Sequence, residues 1–130
     1  MCRYAFVDYK SHFVCADCRF SCKRHPREDG RPHPCPQCGE PMADAGRDFA
    51  APRRTDVRAW DAVAAVLAEG LRYEGLTPCG CGRDPKFRPR TRAQVRERRR
   101  VADRTGAPLA EVLGRRDAWE PEKNGPDAPR

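Results

Sequence analysis

Hydrophobic and polar positions divide the chain into a strand-forming start, a loop-rich middle and a helical second half. Between residues 3 and 14, Tyr4 and Phe6 alternate with Ala5 and Val7, a period of two that predicts a short strand and turn leading into Cys15, the first hairpin of a ribbon. Residues 24 to 34 concentrate proline, glycine, histidine and charge and read as an exposed loop. The period then changes. Thr55 can cap a helix that runs to about residue 69 and stops at Gly70, with Val57, Trp60, Ala64 and Leu67 along one face. LRYEG predicts a brief extended stretch after it, and TPCGCG, residues 77 to 82, a tight turn. Thr91 and Gln94 fit a capping box for a second helix from 92 to about 104, ended by Gly106 and basic nearly all round. Pro108 can open a third helix over 108 to 113, with Leu109, Val112 and Leu113 on one side. From Glu120 onward the composition is that of a disordered tail.

The expected fold class is therefore small α+β: an N-terminal ribbon of short antiparallel strands followed by helices. Its organisation reads as a ribbon over 1–54, a helix and CxC turn packed on it over 55–82, a basic helical region over 83–118, and a disordered tail over 119–130. At 130 residues, with 38% hydrophobic and 35% charged side chains, the core must be small, and something besides apolar burial must help to hold it.

The eight cysteines supply that help. The N-terminus has no apolar signal-peptide segment and the longest apolar run, residues 62 to 68, is far too short to span a bilayer, so the protein is expected in the reducing cytoplasm. There, paired cysteines read as metal ligands in preference to disulfides. Cys15, Cys18, Cys35 and Cys38 form two CxxC pairs separated by sixteen residues, the spacing of a four-thiolate zinc ribbon. Pro36 stiffens the second turn, and Gly39 supplies a position where positive φ is often needed. The expected cofactor is one structural Zn(2+), with iron in a rubredoxin-like site as its rival. Such a closed shell argues against metalloenzyme chemistry, and the HxE half of a zinc deaminase signature is missing around His12, His25 and His33. Cys22, His25 and His33 read as an exposed loop thiol and surface histidines. Cys79 and Cys81 could join Cys2 or Cys22 at a second metal, form a redox pair, or remain reduced thiols in a glycine-rich turn.

Charge adds a second theme. Residues 83 to 100 hold nine basic side chains, Arg83, Lys86, Arg88, Arg90, Arg92, Arg96, Arg98, Arg99 and Arg100, against Asp84 and Glu97, which accounts for the entire formal net charge of +7. A localised cationic segment beside a compact ribbon predicts attraction to phosphate backbones, with Tyr4, Phe6, Tyr9 or Phe13 available to stack on bases.

Taken together, CRYAFVDYKSHFVCADCR, CPQCGEPM, GRDFAAPRR and Trp60 resemble a group of short bacterial zinc-ribbon proteins over roughly residues 1 to 81. The resemblance implies a metal-binding ribbon and no particular activity. The function read from the residues is a non-enzymatic accessory that binds nucleic acid, with RNA or the ribosome favoured as partner. The alternatives are a protein-interaction module built on the ribbon and first helix, and a DNA-binding regulator in which residues 98 to 116 form a helix-turn-helix with Glu111, Arg115 and Arg116 as readers. Neither a phosphate-binding glycine loop with its lysine nor a GDG motif for thiamine diphosphate is present.

Overall fold

The computed structural model describes residues 10–75 and 86–120, so Cys2, Tyr4, Phe6, Tyr9, Cys79, Cys81, Arg83, the 77–82 turn and residues 121–130 lie outside the described residues. Among the described residues six elements follow in order: β1 (Ser11–Cys15), β2 (Phe20–Arg24), β3 (Ala43–Asp44), α1 (Val57–Ala68), α2 (Arg92–Thr105) and α3 (Leu109–Leu113). The strands form one antiparallel sheet in the order β2-β1-β3, and the fold class is small α+β.

β1 is central because it pairs along both edges, and both its faces contribute to the core. Successive side chains of a strand point to opposite sides. Phe13 and Cys15 join Cys35 and Met42 in one apolar cluster, whereas Val14 joins Ala45, Phe49, Trp60 and Val63 in another. Among the described residues the first hairpin is β1 with β2, registered Phe13↔Cys22 and Cys15↔Phe20, and it folds across the Cys15–Cys18 turn; the part of the expected strand at residues 3–9 lies outside the described residues. FSCKR carries no clean alternation of its own; pairing with β1 makes it a strand. Cys22 accordingly sits in a strand, partly buried against the cluster of Phe13 and Met42, and is not the loop thiol expected.

α1 begins one residue later than its sequence suggests. Asp56 is the cap, its Oδ1 accepting from the Ala59 N–H at 3.1 Å, while Thr55 contributes only its carbonyl to Val57. The expected single face is also revised: Trp60, Ala62, Val63, Ala65 and Val66 are buried, while Val57 is 50% exposed and Ala64 faces solvent. The cause is two-sided packing. Trp60 and Val63 meet the ribbon, and Ala62 and Ala65 meet Val95 of α2 and Leu113 of α3, so α1 joins the two halves of the protein. Trp60 satisfies its indole by donating to the Arg53 carbonyl at 3.0 Å.

α2 has its capping box: Thr91 Oγ1 accepts from the Gln94 N–H, and the Gln94 side chain accepts from the Thr91 N–H. It closes on Gly106 and packs on α3 through Val101, Val112 and Ala118. Among the described residues no helix is long and apolar enough to cross a membrane.

Residues 71–75 form no strand, but backbone hydrogen bonds of Tyr73 tie them to the ribbon. The Tyr73 N–H donates to the Ala45 carbonyl at 2.7 Å, and the Tyr73 carbonyl accepts from the Asp48 N–H at 2.9 Å. Gly46 lies between these bonds with φ 89°, and a Cβ there would sit 2.6 Å from the Tyr73 carbonyl oxygen. Left-handed strain of about 1–2 kcal/mol adds to an overlap worth about 1–3 kcal/mol, so Gly46→Ala is expected to cost roughly 2–5 kcal/mol. A urea titration checks this; a midpoint unchanged from wild type would show that the 45–48 and 71–75 segments separate freely.

Candidate metal centre

Two knuckles bring the ligands together. The first, Cys15 to Cys18, is the turn between β1 and β2. The second is a tight loop in which the Cys35 N–H donates to the Glu40 carbonyl and the Gly39 N–H to the Cys35 carbonyl, both at 2.8 Å. A bridge between Pro34 and Pro41 closes its base. Both knuckles need a left-handed residue just after the second cysteine: Gly39 has φ 79°, and Arg19 takes φ 53° in the equivalent place. Glycine adopts this at no steric cost, whereas arginine does not. The Arg19 Nη1–H donates to the Arg54 carbonyl at 2.9 Å, and Arg54 Nη2–H donates to Gln37 Oε1 at 3.4 Å, which ties both knuckles to the segment before α1.

The sulfurs of Cys15, Cys18, Cys35 and Cys38 all lie within 4.8 Å of one another, and those of Cys15 and Cys38 are 3.8 Å apart. An ion bound tetrahedrally by four thiolates at about 2.3 Å sets its sulfurs about 3.8 Å apart, so the donor set fits such an ion. The same spacing is far too long for a disulfide, whose sulfurs sit at about 2.05 Å, and all four cysteines are free thiols. By both chemistry and geometry the cluster could hold a metal ion. Cys15 and Cys35 are buried, Cys18 is intermediate and Cys38 is exposed, so the centre lies at the edge of the ribbon.

The electrostatics are those of thiols that cannot all ionise without a cation. Cys18 is pushed up to about 12, first by its hydrogen bond with Cys38 and then by desolvation. Burial likewise raises Cys15. Cys35 is drawn down to about 7: burial opposes its ionisation, but the backbone N–H groups of Cys38 and Gln37, the latter 3.4 Å from Sγ, and the neighbouring thiols outweigh it. A metal cation reverses the unfavourable part by stabilising every thiolate, so metal uptake releases protons and weakens as pH falls.

The nearby histidines stay outside the ligand set. His33 Nε2–H donates to the His25 carbonyl at 2.8 Å, and the His33 ring meets Phe13 edge-on at 4.6 Å between centroids. Phe13 is 4% exposed and belongs to the core of the ribbon beside Cys15, Cys35 and Met42, so it is not available to stack on a base.

The basic candidates separate by environment. Lys86, Arg90, Arg92, Arg96, Arg99 and Arg100 are exposed. Arg88 is half-buried, its Nε–H donating to the Arg72 carbonyl at 3.0 Å and its Nη1–H to the Phe87 carbonyl at 2.8 Å. Arg98 is 3% exposed, and it leaves the set of phosphate-contacting candidates. Its guanidinium donates to the carbonyls of Gln94, Arg115 and Arg116 and stacks on Phe87 at 4.7 Å. It ties the end of the chain after α3 to α2.

Arg92, Arg96 and Arg99 follow i, i+4, i+7 spacing along α2 and line one side of a trough against α1. The trough comprises adjoining hollows of about 480 and 470 Å³ that share Arg92 and Arg96; Ala62, Ala64, Ala65 and Ala68 of α1 also line it. Arg58 and Arg90 extend it toward the N-termini of both helices. Arg92 pairs with Asp61, whereas Arg58, Arg96, Arg99 and Arg100 have no ion pair among the described residues. Arg58 was not among the residues singled out from the sequence, because it lies outside the run at 83–100 and only the packing of α1 on α2 brings it there.

The helix-turn-helix alternative meets a geometric obstacle. α3 has five residues, too few to lay a row of readers in a major groove. Arg115 is 5% exposed, donating to the Ala118 carbonyl and pairing with Glu111 at 2.9 Å. Two of the three expected readers are thus engaged with each other. Comparison with protein families, curated proteins and solved structures finds no match for this chain.

Proposed function

We propose that this is a zinc-ribbon accessory protein that binds nucleic acid, with RNA or a ribonucleoprotein favoured, and carries out no catalysis. Zinc is preferred over iron because thiolate sites of a given geometry hold Zn(2+) more tightly than Fe(2+). Four cysteines leave no ligand position for water or substrate, so the ion's part is structural. The ion would fix the two knuckles and, through β1, the surface on which α1 rests. A cytoplasmic location, with its reducing conditions, suits free thiols. The likeness of CRYAFVDYK and GRDFAAPRR to short bacterial zinc-ribbon proteins agrees with this reading.

One observation carries the nucleic-acid part: Arg58, Arg90, Arg92, Arg96 and Arg99, all exposed, line one trough. A row of guanidiniums along a groove matches a row of phosphates, and it binds by releasing condensed counterions. If about five phosphates are neutralised, log affinity for a single strand should fall with log salt at a slope of about −3.5. Combined Arg96→Glu, Arg99→Glu and Arg100→Glu should flatten that slope to about −1 without loss of bound metal. A salt titration of both proteins against RNA, DNA and heparin is the test. Binding that is absent at low salt, or unchanged in the triple variant, would favour a protein partner instead.

A further inference from the structure

The arginine trough does not end at Arg90. A third cavity, of about 360 Å³, opens between the ribbon and the helices and shares Asp56, Ala59 and Arg90 with the neighbouring hollow, so cavity and trough are continuous. Its character differs. Part-exposed Pro52 and Tyr73 give it apolar walls over a floor of buried Phe49, Val63 and Pro89, and the Tyr73 ring, held edge to face on Phe49 at 5.1 Å, is the aromatic surface that remains accessible.

Charge separates the two spaces further. The cavity is lined by two carboxylates, Asp48 and Asp56, against one guanidinium, Arg90, which disfavours a phosphate. The trough beside it has more arginines than acids and favours one. A ligand that follows both must therefore carry anionic groups along one edge and a flat, neutral group that can turn aside into an apolar space. A single-stranded nucleic acid does this; a duplex, whose bases are stacked and paired, does not. The volume lies at the lower end of ligand cavities, about 300–1,000 Å³, and suits one planar ring system.

Resting on the nucleic-acid reading above, we infer that the Phe49–Tyr73 cavity takes one unstacked base of a single strand whose phosphates run along Arg90, Arg92, Arg96 and Arg99. The ribbon contributes Phe49 and the helical half contributes Pro89 and Arg90, so the site exists only when both halves are docked. The metal is thereby linked to base binding through the fold, with no contact to the ligand required.

The test compares oligoadenylate of about eight nucleotides with an abasic strand of equal length and charge, and with a duplex of the same sequence, on the full-length protein. The expected result is that oligoadenylate binds about tenfold more tightly than the abasic strand, with the same salt slope for both. Ala59→Leu, which places a larger side chain where cavity and trough meet on a helix that accepts leucine, should erase that tenfold difference and leave the slope; retained metal and circular dichroism establish that it is folded. Equal affinity for oligoadenylate and abasic strand would overturn the base site while leaving the trough as a phosphate site. Equal or tighter binding of the duplex would overturn the single-strand assignment. Failure of every strand to bind at low salt would overturn both this inference and the reading on which it rests.

Discussion

Cys35→Ser or Cys38→Ser is expected to abolish metal binding and to unfold the ribbon, leaving near-UV circular dichroism close to that of a denatured chain. The physical reason is that two of the four cysteines the ion would join, Cys15 and Cys35, are themselves core. Cys15 and Cys35 are buried beside Phe13 and Met42, and Cys18, Phe20 and Cys22 pack against them. Removing the ion leaves only Phe13, Met42 and part-buried Phe20 as an apolar centre on that side of β1. Ligation in units of this kind contributes about 10–16 kcal/mol, which equals or exceeds the roughly 5–15 kcal/mol net stability of a whole domain. Loss should propagate, because Val14 on the opposite face of the same strand packs on Phe49, Trp60 and Val63. Metal-free variants that kept an unchanged spectrum would mean that β1 and its hairpins are held by packing alone.

Arg98→Ala should produce the second-largest effect, a loss of about 3 kcal/mol and roughly 10 °C in Tm. The side chain donates to three carbonyls from a position 3% exposed, and its removal leaves the Arg115 and Arg116 carbonyls to find new partners beside a cavity. Arg98→Lys should rescue little, since one ammonium cannot reproduce the planar fork. Arg96→Ala and Arg99→Ala, both at exposed positions, should stay within about 0.5 kcal/mol of wild type. Thermal unfolding followed by circular dichroism separates the cases. An Arg98→Ala protein with wild-type Tm but a flattened salt slope would return Arg98 to the phosphate-binding surface.

The contrast between Arg98 and its neighbours marks where the sequence was legible and where it was not. The metal site was readable because a CxxC spacing is a local rule: each pair must close its own tight turn, and Gly39 announces one of them. Thr91 and Gln94 were readable for the same reason, since a capping box is complete within four residues. Arg98 was hidden by its surroundings. In a helix that is basic nearly all round, charge cannot mark the buried side; the available clue was that position 98 falls between Val95 and Val101 at successive steps of three. Trp60 and Ala62 show the converse problem on α1. Periodicity anticipates one apolar stripe, and a helix pressed between two partners presents a broader buried arc that no single moment describes. The strand β2 and the trough were illegible because each depends on a distant partner, β1 in one case and the α1–α2 contact in the other.

The four-thiolate centre is tested most directly by the identity and coordination of the ion it would hold. X-ray absorption at the metal edge, on protein purified without added metal and checked by elemental analysis, should find about one zinc per chain with four sulfur neighbours at about 2.3 Å. A nitrogen or oxygen neighbour in the first shell, iron in place of zinc, or a chain without stoichiometric metal would contradict the closed four-cysteine zinc site of Cys15, Cys18, Cys35 and Cys38.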